Sequence, residues 1–182
     1  TELDVNGVAV SLDDVSADMG YIELPAFPGE YEIALAGQNE YLASEAQTVT
    51  VSASAASYSE PIRFELEPTE EFSAAVQTQI EDLLSSCAER KLIEADDCPI
   101  YTYAFGDVSD VSWTIDEQAT FEIVDYGDGE WYVQTDDRGV ATVTYTRSTS
   151  YSEPETVTNE VDFSTTGTVE MVDGEPVYTY GY

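Results

Sequence analysis

The chain has no histidine, one lysine and only two cysteines, and these scarcities exclude more chemistry than its abundant residues suggest. Without histidine, neither Ser-His-Asp nor Cys-His catalysis can be assembled. A zinc site needs about four ligands, so here it would have to recruit carboxylates beside the thiols. Lys91 stands outside any S-x-x-K arrangement, which leaves a Ser-Lys dyad unsupported. No apolar run approaches the roughly 20 residues that cross a bilayer. The first residues, TELDVNGVAV, include neither Met nor a signal peptide, and the expectation is a fragment of a longer protein.

Positive charge is also scarce. Thirty-eight acidic residues face five basic ones over 182 residues, for a net charge of -33. The five cations, Arg63, Arg90, Lys91, Arg138 and Arg147, form no cluster. Such a surface repels phosphate backbones and anionic lipid, so nucleic acid and bare membrane are not expected partners. The charge fits a bacterial surface protein repelled by an anionic cell wall. Halophilic adaptation is the alternative. At 42% apolar residues the chain is too hydrophobic for an acidic disordered tail.

Thirteen tyrosines and frequent Val and Thr favour strands. In the first third, Asn6-Gly7 reads as a hairpin turn. Tyr31, Ile33 and Leu35 alternate after the breaks at Pro25, Pro28 and Gly29. Val49 and Val51, then Ile62, Phe64 and Leu66, supply two further strands around the loop-like ASAASYSE. Residues 1–67 are therefore expected to form a small antiparallel β-sandwich. Pro68 changes the pattern. Phe72, Val76, Ile80, Leu83, Leu84 and Cys87 recur at gaps suited to one helical stripe. Thr69 or Ser73 suits the cap, Glu70 and Glu71 the positive end of the helix dipole, and Arg90 and Lys91 the negative end.

Alternation returns after Pro99, with breaks at YGDGE, DDRG, RSTSYSEP, STTG and VDGEP. Asp173-Gly174 is the clearest hairpin turn. No internal repeat or low-complexity tract interrupts the pattern. One helix before a long antiparallel meander predicts an α+β module over 68–182. The expectation is one long helix on a curled antiparallel sheet, of the cystatin-like or NTF2-like kind.

Cys87 lies on the helix stripe and Cys98 where the chain enters the sheet. A disulfide between them closes a loop of about a dozen residues and contributes on the order of 3 kcal/mol in the chain-entropy model. It implies an oxidising, extracytoplasmic compartment. A redox pair normally shows as C-x-x-C, and two free thiols in a cytosolic chain is the plain alternative.

Leu84, Cys87, Cys98, Pro99, Ile100 and Trp113 together resemble a pattern in the extracellular regions of single-pass actinobacterial membrane proteins of unassigned function. There, a helix carrying L..C leads through a short loop to CP. The earlier VNGVAV and LPAFPGEYEIAL are similar to small β-modules of the PEGA-like type. The teicoplanin-resistance-associated membrane proteins are a looser likeness in organisation. The resemblance implies a Gram-positive cell-surface ectodomain tethered by a membrane segment outside this chain, and it brings no catalytic residues or cofactor.

Acids, carboxylate pairs and aromatics are the remaining candidates for binding or chemistry. DDVSADMG, DVSD and DYGDGE gather acids near turns, as calcium sites do, but none has EF-hand spacing, and turns recruit Asp and Gly anyway. Carboxylate pairs for glycoside hydrolysis stay open as an alternative, although 38 acids offer pairs at any spacing. Trp131 and Tyr132 face opposite ways on a strand, whereas Tyr101 and Tyr103 share a face, as do Tyr178 and Tyr180. Such aromatics more often fill a core than contact a glycan or protein. The expected role is non-catalytic: a binding surface, spacer or envelope sensor, with protein or cell-wall glycan as partner and no cofactor or metal. The alternatives are a carboxylate-based hydrolase of cell-wall glycan and a soluble halophilic protein.

Overall fold

The structure is a computed structural model and describes residues 2–13, 21–53, 61–127 and 129–181. The chain divides into two compact units, Thr1–Glu71 and Phe72–Tyr182. The division falls in the first turn of a helix, a few residues past the change of pattern at Pro68.

In the first unit, β1 (Glu2–Val5) and β2 (Val8–Ser11) pair around Asn6-Gly7. Both turn residues have left-handed backbone, with φ of 53° and 78°, as this two-residue turn demands. The Asp4 carboxylate accepts the Gly7 N–H at 2.6 Å. With β3 (Gly29–Leu35) and β5 (Gln47–Val51) they form one four-stranded sheet, ordered β2-β1-β3-β5. The very short β4 (Leu42–Ala43) and β6 (Glu67–Pro68) pair separately.

The expected sandwich is corrected here: among the described residues a single sheet and a two-residue ribbon are found. Ile62, Phe64 and Leu66 lie outside any strand. The reason lies in partners. Alternation marks an apolar side, yet no neighbouring strand offers a ladder to this segment among the described residues. Most of ASAASYSE lies outside the described residues.

The second unit holds the larger core. Helix α1 (Glu70–Glu89) buries Phe72, Val76, Ile80, Leu84 and Cys87 along one side, while Leu83 is half-buried. Burying the four large apolar side chains contributes roughly 6–12 kcal/mol relative to leaving them in water, as an upper bound. Ser73 lies inside the helix, and Thr69 just before it donates its hydroxyl to the Glu40 carbonyl at 2.6 Å. Arg90 and Lys91 come after the last helical residue, and Lys91 turns the chain away with φ of 55°.

The remaining strands are β7 (Asp107–Glu117), β8 (Phe121–Asp125), β9 (Trp131–Thr135), β10 (Gly139–Thr149), β11 (Ser152–Phe163), β12 (Gly167–Val172) and β13 (Glu175–Tyr180). Here the α+β expectation is overturned. The protein is mostly β, with about half its residues in strands and an eighth helical. Among the described residues the strands form four sheets, and the expected single curled sheet is two: β11-β10-β7 and β13-β12-β9-β8.

Two glycines stand beside the break. Three strand runs are interrupted at matching levels, near 118–120, 136–138 and 164–166. Gly139 and Gly167 stand just past two of these breaks. A Cβ on Gly139 would lie 2.2 Å from the Phe163 ring, and one on Gly167 would lie 2.3 Å from the Thr179 carbonyl oxygen. Chains approach too closely there for any side chain. Ala141, Val143 and Tyr145 of one sheet and Trp131, Val133 and Val169 of the other are buried.

Candidate functional site

Beyond α1 the chain is fastened repeatedly. Cys87 and Cys98 form a disulfide with a Cα–Cα distance of 5.8 Å. Arg90 holds both carboxylate oxygens of Asp97, at 2.6 and 2.8 Å. That pairing raises the Arg90 pKa and lowers that of Asp97. Trp113 Nε1 donates to the Leu92 carbonyl at 2.7 Å, and the Thr102 N–H donates to the Ile93 carbonyl at 2.7 Å. Ile100 is buried and Gly106 sits against the Ser148 carbonyl with φ of 100°. The segment between belongs to no strand.

On this clamped segment Tyr101, Tyr103 and Phe105 point outward, with 48%, 71% and 87% of their surface exposed. The Tyr101 and Tyr103 rings meet edge to face, with centroids 5.8 Å apart. Tyr180 lies close enough to Tyr101 that their charges interact, and burial with that neighbour raises the Tyr180 pKa. Tyr178 is raised further, by burial first and then by Tyr180. Its hydroxyl donates to the Thr165 carbonyl at 2.8 Å. Three exposed aromatics in sequence form an apolar strip of the kind that marks binding sites on soluble domains.

The other aromatics divide between core and surface. Trp131 is buried against Phe72, with centroids 5.5 Å apart, and Trp113 is also buried. Tyr132 is half-buried and touches the exposed Tyr126. Sequence reasoning paired Tyr101 with Tyr103 but missed Phe105. The signal was present in the alternation of Tyr101, Tyr103 and Phe105.

The acidic clusters are engaged in local structure. The Asp125 carboxylate accepts the Gly127 N–H at 2.6 Å, and Asp128 lies outside the described residues. Asp110 has left-handed backbone at a bulge of β7 and accepts from the Ser109 hydroxyl at 2.9 Å. Asp14 to Gly20, most of DDVSADMG, lie outside the described residues. Among the described residues no three His, Cys, Asp or Glu side chains gather as metal ligands would.

Two open grooves lie in this unit. One, of about 600 Å³, runs between Ser73, Ala74 and Gln77 of α1 and the segment from Gln118 to Ile123. Glu122 is its one lining carboxylate, so no acid pair faces across it. The other, of about 550 Å³, is lined by Lys91 and Val108 to Ser112. Among the described residues no helix is long and apolar enough to cross a membrane.

The class defined by these features is a two-unit, disulfide-tied, mostly β protein with an exposed aromatic strip. No family model matches the chain, and neither a curated protein nor a solved structure is similar to it.

Proposed function

We propose that the chain is a non-catalytic binding module of a Gram-positive cell-surface protein, tethered by a membrane segment outside this sequence. The carrying observation is the clamped strip of Tyr101, Tyr103 and Phe105. Ordering a loop usually weakens binding, and here the disulfide and backbone ties hold the loop in advance. The disulfide supports an oxidising location. Charge of -33 disfavours polyanions, leaving cell-wall glycan or a surface protein as partner. Aromatic faces suit either, since they offer large, stiff apolar area.

The test compares the chain with the triple variant Tyr101→Ser, Tyr103→Ser and Phe105→Ser in co-sedimentation with Gram-positive cell walls, intact and stripped of protein, at about 0.5 M salt to screen the repulsion between the two acidic surfaces. The parent is expected to sediment with intact walls and the variant to lose more than tenfold in affinity, as aromatic hot spots do. Equal binding by both overturns the strip as the site. Release of soluble glycan fragments would overturn the non-catalytic reading.

A further inference from the structure

Every strand at a sheet edge exposes unpaired N–H and C=O groups, and folded proteins ordinarily blunt them. Most edges in the second unit are treated in this way. β7 carries two register shifts along its ladder with β10, one beside Asp110. β11 includes Pro154 and four carboxylates. β13 is covered by a side chain from α1: Gln79 Nε2 donates to the Pro176 carbonyl at 2.8 Å, and its Oε1 accepts the Tyr178 N–H at 2.9 Å. Pro176 itself removes one outward donor. β8, at the opposite edge of that sheet, has β9 as its one strand partner among the described residues, and its register with β9 is regular.

The geometry of β8 is set by its hydrogen bonds. Thr120 exchanges bonds with Asp136 and Asp137 at 2.9 Å, and the Tyr126 N–H bonds to the Glu130 carbonyl. The even-numbered residues between them therefore turn their backbone groups towards β9. Phe121, Ile123 and Asp125 turn theirs outward. The side chains of Phe121 and Ile123 share the face of their partners Thr135 and Val133, and Val133 is buried on the core side. They floor the groove whose wall is Ser73, Ala74 and Gln77. Small residues on that wall leave room for a chain beside the edge.

We propose that this groove receives an extended, lysine- or arginine-bearing peptide segment, which adds to the sheet as a strand against β8. Backbone bonds to Phe121, Ile123 and Asp125 supply the pairing, and alternate side chains of the guest meet two different surfaces. Those turned towards the helix meet Phe121, Ile123 and Ala74, so small apolar residues fit. Those turned the other way lie beside Glu122, so cations fit. No cation lines the groove. A second copy of the chain is disfavoured as guest because each copy carries a charge of -33. The proposal concerns a different surface from the aromatic strip and stands or falls separately.

The probe is a capped hexapeptide of alternating lysine and valine, titrated into the intact chain and followed by backbone amide NMR. Its controls are the same peptide N-methylated at alternate residues and a glutamate–valine peptide. Shifts and exchange protection are expected at the N–H groups of Phe121, Ile123 and Asp125. The N-methylated peptide should bind at least tenfold more weakly. Ala74→Trp, an exposed position, should fill the groove and weaken binding at least tenfold with an unchanged melting curve. Equal binding by the N-methylated peptide would show mere adhesion to an acidic surface and overturn the proposal. Shifts spread over the whole acidic surface, or pairing of two chains through β8, would overturn it as well.

Discussion

Tyr178 and Tyr180 differ from the exposed tyrosines in what surrounds their hydroxyls. The Tyr178 O–H is half-buried, bonded to the Thr165 carbonyl, and has Tyr180 as a charged neighbour once either ionises. Burial disfavours the phenolate, so both groups are held above the ordinary tyrosine value of about 10. In the alkaline range the folded state therefore keeps protons that the unfolded chain releases. The stability so supplied is fully present below about pH 10 and is lost as pH rises towards the folded-state values. A spectrophotometric titration should show a late alkaline step in which Tyr178 ionises only as the protein unfolds. Replacing Tyr178 with Phe should remove that late step. An alkaline titration left unchanged by that replacement would contradict the burial of Tyr178.

At the scale of elements, the C-terminal end of α1 is fixed to the 90–102 segment by a covalent link and by polar ties. The disulfide joins residues 11 apart in sequence, and Arg90 with Asp97, Trp113 with Leu92 and Thr102 with Ile93 reinforce the same turn. Replacing both cysteines with serine should lower stability by about 3 kcal/mol, read from denaturant unfolding of the second unit. The Ser variant should also loosen the 99–106 segment, seen as faster amide exchange at Thr102. Unchanged exchange there would mean that the hydrogen bonds alone hold the strip. Gln79 is the other fixing element, because its amide lies along β13 as a neighbouring strand would.

At the scale of the whole molecule, charge dominates. A net charge of -33 over 182 residues makes the folded state self-repelling. Arg90 and Arg147 answer it locally, through Asp97 and Glu155, and both pairs are exposed enough to contribute little in water. Salt should therefore stabilise the protein by screening. The melting midpoint is expected to rise modestly between low salt and about 0.5 M, by roughly 4 °C for each kcal/mol of repulsion relieved. Unfolding at ordinary ionic strength would instead favour the halophilic alternative.

The sequence by itself determined features carried by near neighbours in the chain. The stripe from Phe72 to Cys87 marks α1, the Asn6-Gly7 and Asp173-Gly174 dipeptides mark their turns, and two cysteines allow one intramolecular pairing. Tertiary structure decided which strands share a sheet, because alternation reports an apolar side without naming the neighbour that covers it. The close approach of Phe163 to Gly139 and of Thr179 to Gly167 joins residues far apart along the chain. Likewise Tyr101, Tyr103 and Phe105 carry no mark that separates them from core aromatics such as Trp113. The fold leaves Tyr101, Tyr103 and Phe105 exposed, and it places β8 at the edge of its sheet opposite the strand that Gln79 covers.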